Sequence, residues 1–242
     1  MSGGEKIKEI FKEMFAKLDE MIKSHYTNFE ELRDIYFEFL EYIKKEKAGT
    51  SGGFTGLSEY LILKAILLHL EQKLNVEFEK SLQKIKDAHF FVSKDKEILV
   101  THGININEDM ESIVKEKFGY GIIWSKDKNT KRLRPDIVIF KLTNNYYKPE
   151  AIIQIKVYAV SPNAIINETN KLRKMASGSG KPLCAIIFFC EVGKHREKLE
   201  GFSYVVTPKN SVEFEKMLQE IERRLLPTSF ISDTNDKPHN FF

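Results

Sequence analysis

The chain has 242 residues, a formal net charge of +3 and a pI near 8.6, with 42% hydrophobic and 30% charged residues. That is the balance of a soluble globular protein long enough for one large domain, and it excludes a collagen-like, low-complexity or highly charged disordered chain. The longest apolar runs, such as Ile186-Ile187-Phe188-Phe189, are too short to span a bilayer, and the start Met1-Ser2-Gly3-Gly4-Glu5-Lys6 lacks the apolar core of a secretory signal, so the expected location is the cytoplasm.

The first third reads as helical. Ile7, Ile10, Phe11, Met14, Phe15, Leu18 and Ile22 follow helical spacing, and Asn28 looks like an N-cap with Glu31 as its capping-box partner. A second helix runs to about Lys47 with Leu32, Ile35, Tyr36, Phe39, Leu40 and Ile43 on one face. Two such helices suggest a hairpin used for core packing or as a dimer surface. Ala48-Gly49-Thr50-Ser51-Gly52-Gly53 reads as a flexible break. It is either a boundary between a helical extension and a main domain, or a loop whose glycines approach phosphates.

Gly56 to Lys73 is a strong helix, apolar around much of its circumference and hence buried; Ser58 or Thr55 could cap it, and Glu59 would sit in its first turn. Next come a predicted helix over 76–88, a strand at 98–101 and a helix at 108–117. From residue 120 the pattern changes to strands at Tyr120–Ser125, Ile137–Leu142 and Ala151–Val160, with Asn144-Asn145 as the turn between the last two. A helix over Pro162–Met175, an apolar strand over Leu183–Cys190, a strand over Phe202–Val206 and an amphipathic helix over Ser211–Leu225 complete the order β-β-β-α-β-β-α. The predicted fold is α/β: a mixed β-sheet flanked by helices, with a helical N-terminal region. The predicted division is 1–48 as helical extension, 54–226 as core and 227–242 as a polar tail. Cys184 and Cys190, about 20 Å apart along one strand, are too distant for a disulfide or a shared metal and read as core thiols.

Pro135-Asp136 opens one strand, and Gln154-Ile155-Lys156 lies in the next, eighteen residues after Asp136. Strand alternation puts Gln154 and Lys156 on one face, and an antiparallel hairpin would bring Asp136 to their end of it. Alternation alone would leave Gln154 and Lys156 simply facing solvent. A carboxylate with an adjacent carbonyl oxygen suits Mg²⁺, and a lysine beside it can stabilise charge on a phosphate or on an attacking water. Directly before Asp136, residues 126–134 hold five basic residues against one acid. Lys128, Lys131, Arg132 and Arg134 are either a phosphate-contacting patch or a solvated loop.

Pro135-Asp136 followed by Gln154-X-Lys156 resembles the PD-(D/E)XK nuclease superfamily, which includes many type II restriction endonucleases and archaeal Holliday junction resolvases. The resemblance covers roughly residues 56–206. It implies a Mg²⁺-dependent endonuclease, with Mn²⁺ as a substitute, acting on double-stranded DNA, most simply as a homodimeric restriction enzyme. It implies Asp136 and the residue at 154 as metal ligands, Lys156 acting on the nucleophile, and a helix-borne acid completing the site. Glu59 is the candidate for that acid, with Glu150 and Glu168 left open. Gln154 departs from the usual Asp or Glu: a neutral amide is a weaker ligand, so more charge must come from elsewhere. A structure-specific repair nuclease or junction resolvase, or a non-catalytic DNA-binding relative, fits the same residues.

Overall fold

The computed structural model describes residues 16–45, 51–80, 89–103, 108–124, 134–157, 161–176, 181–192, 199 and 201–226. Helix α1 covers 16–25 and α2 Phe29–Lys45. Asn28 caps α2 through its side-chain oxygen, which accepts from the N–H groups of Glu30 (3.0 Å) and Glu31 (3.3 Å).

Helix α3 spans Ser51–Leu74. Ser51-Gly52-Gly53, read from sequence as a flexible break, are therefore helical, and the helix starts earlier than the predicted Gly56. Each glycine costs about 1 kcal/mol of helix propensity. The buried run Leu57, Leu61, Ile62, Ala65, Ile66 and Leu70 supplies far more. Glu59 thus lies in the third turn of the helix, not the first. Ser58 does not cap but donates back to the Thr55 carbonyl at 2.8 Å.

Where a helix was predicted over 76–88, β1 (Phe78–Lys80) leads instead toward β2 (His89–Ser93), and 81–88 lie outside the described residues. Strand β3 is Ile98–His102. The β2–β3 hairpin closes on local chemistry: the Asp95 carboxylate accepts from the Ser93 hydroxyl and from the Glu97 N–H at 3.0 Å, and Lys96 adopts a φ of +63°. Helix α4 is Glu108–Phe118, and β4 is only Gly121–Ile122. Strands β5 (Ile137–Thr143) and β6 (Tyr146–Lys156) turn through Asn144 (φ +49°) and Asn145 (φ +66°), the left-handed pair that a two-residue hairpin turn requires. Then follow α5 (Pro162–Ala176), β7 (Leu183–Phe188), β8 (Tyr204–Val206), a short 3₁₀ turn and α6 (Val212–Leu225).

The eight strands form one mixed sheet in the order β1-β2-β3-β5-β6-β7-β8, with β4 pairing β6 in parallel off that path. Neighbours from β1 through β6 are antiparallel, and β6, β7 and β8 run parallel. On one face, Ile98, Ile137, Ile139, Ile153, Ile155 and Ile187 share a core with α1, α2, α3 and α6. On the other, Val138, Phe140, Ile152 and Cys184 pack on α4 and on Leu172 of α5, while Ile186 and Phe188 pack on Ile165. The fold is α/β, helices covering both faces of the sheet.

Pairing between β5 and β6 shifts by one residue, from Ile139↔Ala151 to Phe140↔Pro149, so Glu150 is the extra residue of a β-bulge. Pro149, unable to donate to a ladder, sits where the ladder is interrupted. Among the described residues no helix is long and apolar enough to cross a membrane. Cys184 is buried and Cys190 half-buried, and neither forms a disulfide.

Candidate functional site

The C-terminal end of β6 carries the site. Register places Ile137 opposite Ile153, so Asp136 enters the hairpin level with Gln154. The Ile155 N–H donates to the Asp136 carboxylate at 2.6 Å, locking the acid against β6 between Gln154 and Lys156. Gln154 and Lys156 share the face covered by α5, as alternation predicts. Gln154, however, does not face solvent. It is 3% exposed, donates to the Arg134 carbonyl at 3.4 Å, and accepts from the Lys156 ammonium at 3.5 Å. Its amide both donates and accepts here, which a carboxylate could not do.

Two further acids reach this end of the sheet. Glu168 of α5 lies 3.8 Å from the Lys156 ammonium and 3.0 Å from that of Lys171. Glu59 comes from α3, on the opposite face, and meets His102 Nε2 at 2.7 Å. His102 ends β3 opposite Ile137, and the next N–H, of Gly103, donates to the Asp136 carbonyl at 2.9 Å. The site therefore straddles the end of the sheet: Glu59 and His102 from one face, Gln154, Lys156 and Glu168 from the other, Asp136 between them. Glu150 is not part of it, since it sits at the bulge and pairs with Lys148 and Arg224.

Burial pushes the Asp136 carboxyl up to about 6, chiefly by desolvation. The Lys156 ammonium and the Ile155 N–H pull it down, while the charges of Glu59 and Glu168 push it further up. A half-buried, desolvated carboxylate repelled by two more acids is the electrostatic condition that a cation relieves. Among the described residues no group of three or more His, Cys, Asp or Glu side chains is arranged to hold a metal ion. Mg²⁺ does not require such a cage, because it typically binds through one or two carboxylates, several waters and substrate phosphate oxygens. The donor set fits that ion in kind, through Asp136 with Glu59 or Glu168 beside it.

Sequence reasoning missed His102, which was assigned nothing. Its signal was parity: it shares the face of Ile98 and Val100, toward the helix that bears Glu59. It also left Glu168 undecided, and here the structure brings that acid to Lys156. Of the basic patch, Lys128, Lys131 and Arg132 lie outside the described residues, and Arg134 is exposed beside the site. The chain matches no family model, no curated protein and no solved structure in comparisons with known proteins.

Proposed function

We propose that this chain is a Mg²⁺-dependent endonuclease of duplex DNA, acting as a homodimeric restriction enzyme in the cytoplasm. The observation that supports it best is Asp136, a half-buried acid held against β6, repelled by Glu59 and Glu168, with the Lys156 ammonium among them. Asp136 and one neighbouring acid would hold the cation, with the Gln154 carbonyl oxygen as a weak further ligand. When bound, the ion would supply Lewis-acid polarisation of the phosphate and a more acidic water. Lys156, drawn between Gln154 and Glu168, would present its charge to the scissile phosphate and balance charge developing there. His102 would fix the rotamer of Glu59. One such site per chain cuts one strand, so a two-fold dimer would serve both strands.

Incubation of the protein with plasmid and phage DNA in Mg²⁺ tests this. Discrete fragments, absent with Asp136→Ala, are expected; no cleavage of any duplex in Mg²⁺ or Mn²⁺ sinks the proposal. Preference for branched over linear duplex would point to a junction or repair nuclease. A second reading has its own support: the Gln154 amide satisfied internally, and no preassembled metal group among the described residues. That reading is a non-catalytic DNA-binding protein, whose DNA affinity would be indifferent to metal and to Lys156→Ala.

A further inference from the structure

Helix α5 breaks a rule that α6 keeps. The outward face of α6 carries the residues expected of a merely solvated helix, tied by Lys216–Glu213 (2.8 Å), Gln219–Glu215 (3.4 Å) and Arg224–Glu220 (2.9 Å) contacts. Helix α5 buries Ile165, Thr169 and Leu172 and turns Asn163, Asn167, Asn170 and Lys174 outward, at spacings of four, three and four residues. These four lie in one stripe along the helix axis. Asparagine is a poor helix former, because its amide competes for the backbone. Two of them, Asn167 and Asn170, lie in the interior of this 15-residue helix and weaken it where Ala, Glu or Lys would strengthen it. Local rules broken without structural gain mark a surface kept for something else.

The chemistry of the stripe is specific. An asparagine amide offers a donor and an acceptor side by side, the pair that matches N6–H and N7 of adenine in the major groove. Exposed Ile166, beside the stripe, offers an apolar surface of the kind that meets a thymine methyl. The face is also the right sign. Lys171, Arg173 and Lys174 are exposed at the helix's C-terminal half, and its single acid, Glu168, is turned toward Lys156 and Lys171. A helix about 10–12 Å across fits a major groove about 12 Å wide. The Lys156–Glu168 contact ties this helix to the strand end where a scissile phosphate would lie, so a groove-bound α5 would set the distance between bases read and bond cut.

We propose that Asn163, Asn167 and Asn170 of α5 read base edges in the major groove, and that the preferred duplex contains A·T pairs at the positions they meet. This rests on the duplex-DNA part of the proposed function but not on catalysis, and the experiment separates the two. Selection from a randomised duplex pool by the full chain in Ca²⁺ is expected to enrich an A·T-containing sequence. Asn163→Ala, Asn167→Ala and Asn170→Ala should each lower the discrimination at one position about ten-fold. Their Tm should be equal or higher, since Ala favours the helix. The inference is overturned if the unsubstituted chain enriches no sequence, or if all three variants enrich the same sequence with the same discrimination. If the variants relax selection but the selected duplex is not cut in Mg²⁺ or Mn²⁺, base reading by α5 stands and the nuclease reading fails.

Discussion

The Glu59 carboxylate and the His102 ring meet at 2.7 Å across the junction of α3 and the sheet, and the strand that carries His102 also holds the backbone of Asp136 through Gly103. His102 stacks at 6° on His89, with ring centroids 5.8 Å apart, so its plane is fixed. A helix-borne acid is thereby aimed by a side chain of the sheet.

His102→Ala should free Glu59 to rotate. The expected result is a rise of about 10–100-fold in the Mg²⁺ concentration giving half-maximal cleavage. Cleavage at saturating Mg²⁺ should change far less. His102→Gln, which can still donate to Glu59, should recover part of the loss. An unchanged Mg²⁺ titration for His102→Ala would remove the orienting role.

Asp136 makes a prediction about stability. Its folded pKa, about 6, stands above the ordinary carboxylate value of 3.8, so the folded state holds this proton more tightly. The metal-free protein should therefore gain stability as pH falls from 6 toward 4, by on the order of 3 kcal/mol from this group. Asp136→Asn keeps an acceptor for the Ile155 N–H and removes the charge. Its Tm at pH 7 should exceed that of the unsubstituted chain, with the acid-side gain abolished. Activity should be lost. Thermal scans from pH 4 to 8 decide it, and a lower Tm for Asp136→Asn at pH 7 would contradict the account.

Gln154→Glu puts a second carboxylate beside Asp136 and Lys156 and tests what the neutral amide contributes. The new carboxylate would face the Arg134 carbonyl with no proton to offer and add repulsion to Asp136. Without metal the variant should lose about 1–3 kcal/mol. Mg²⁺ should narrow that gap and act at lower concentration than on the unsubstituted chain. A variant as stable as the parent in EDTA would show that the Gln154 hydrogen bonds contribute little.

His69 behaves oppositely to Asp136. It is 2% exposed on α3 and meets Glu222 of α6 at 3.1 Å, with Lys73 and Glu215 nearby. Burial lowers its pKa more than Glu222 raises it, so folding favours the neutral ring. Its contribution is present above about pH 6.5 and is lost as pH falls below that value. His69→Gln should flatten this acid limb, read as Tm between pH 7.5 and 5.

What was legible in the sequence followed periodicity. Period-3.6 and period-2 patterns located α2, α3, α4, α5, α6 and the β5–β6 hairpin, whose Asn144-Asn145 turn admits one geometry. The helix expectation failed at 78–80 because Phe78 draws its partner from across a sheet, and local spacing carries no trace of that. The glycines at 52 and 53 misled because burial further along α3 overrides propensity. Asp136, Gln154 and Lys156 were legible as neighbours through strand parity. The burial of Gln154 was not, because alternation names a face without saying what covers it, and α5 covers this one. His102 was hidden for the same reason: its importance lies on another element, in Glu59.

The bulge at Glu150 gives the hairpin a phase. From the Asn144-Asn145 turn to Pro149 the strands count in one register, and beyond Glu150 in another. Deleting that single residue, remote from the site and paired with Arg224, would set Phe140↔Pro149 and Ile139↔Ala151 side by side in one unbroken ladder, with the pairs on either side unchanged. Ile153 and Ile155 would keep the face of Ile137 and Ile139, and Gln154 and Lys156 the face of α5. In this chain, one lost codon at position 150 would straighten the hairpin and leave the site in phase.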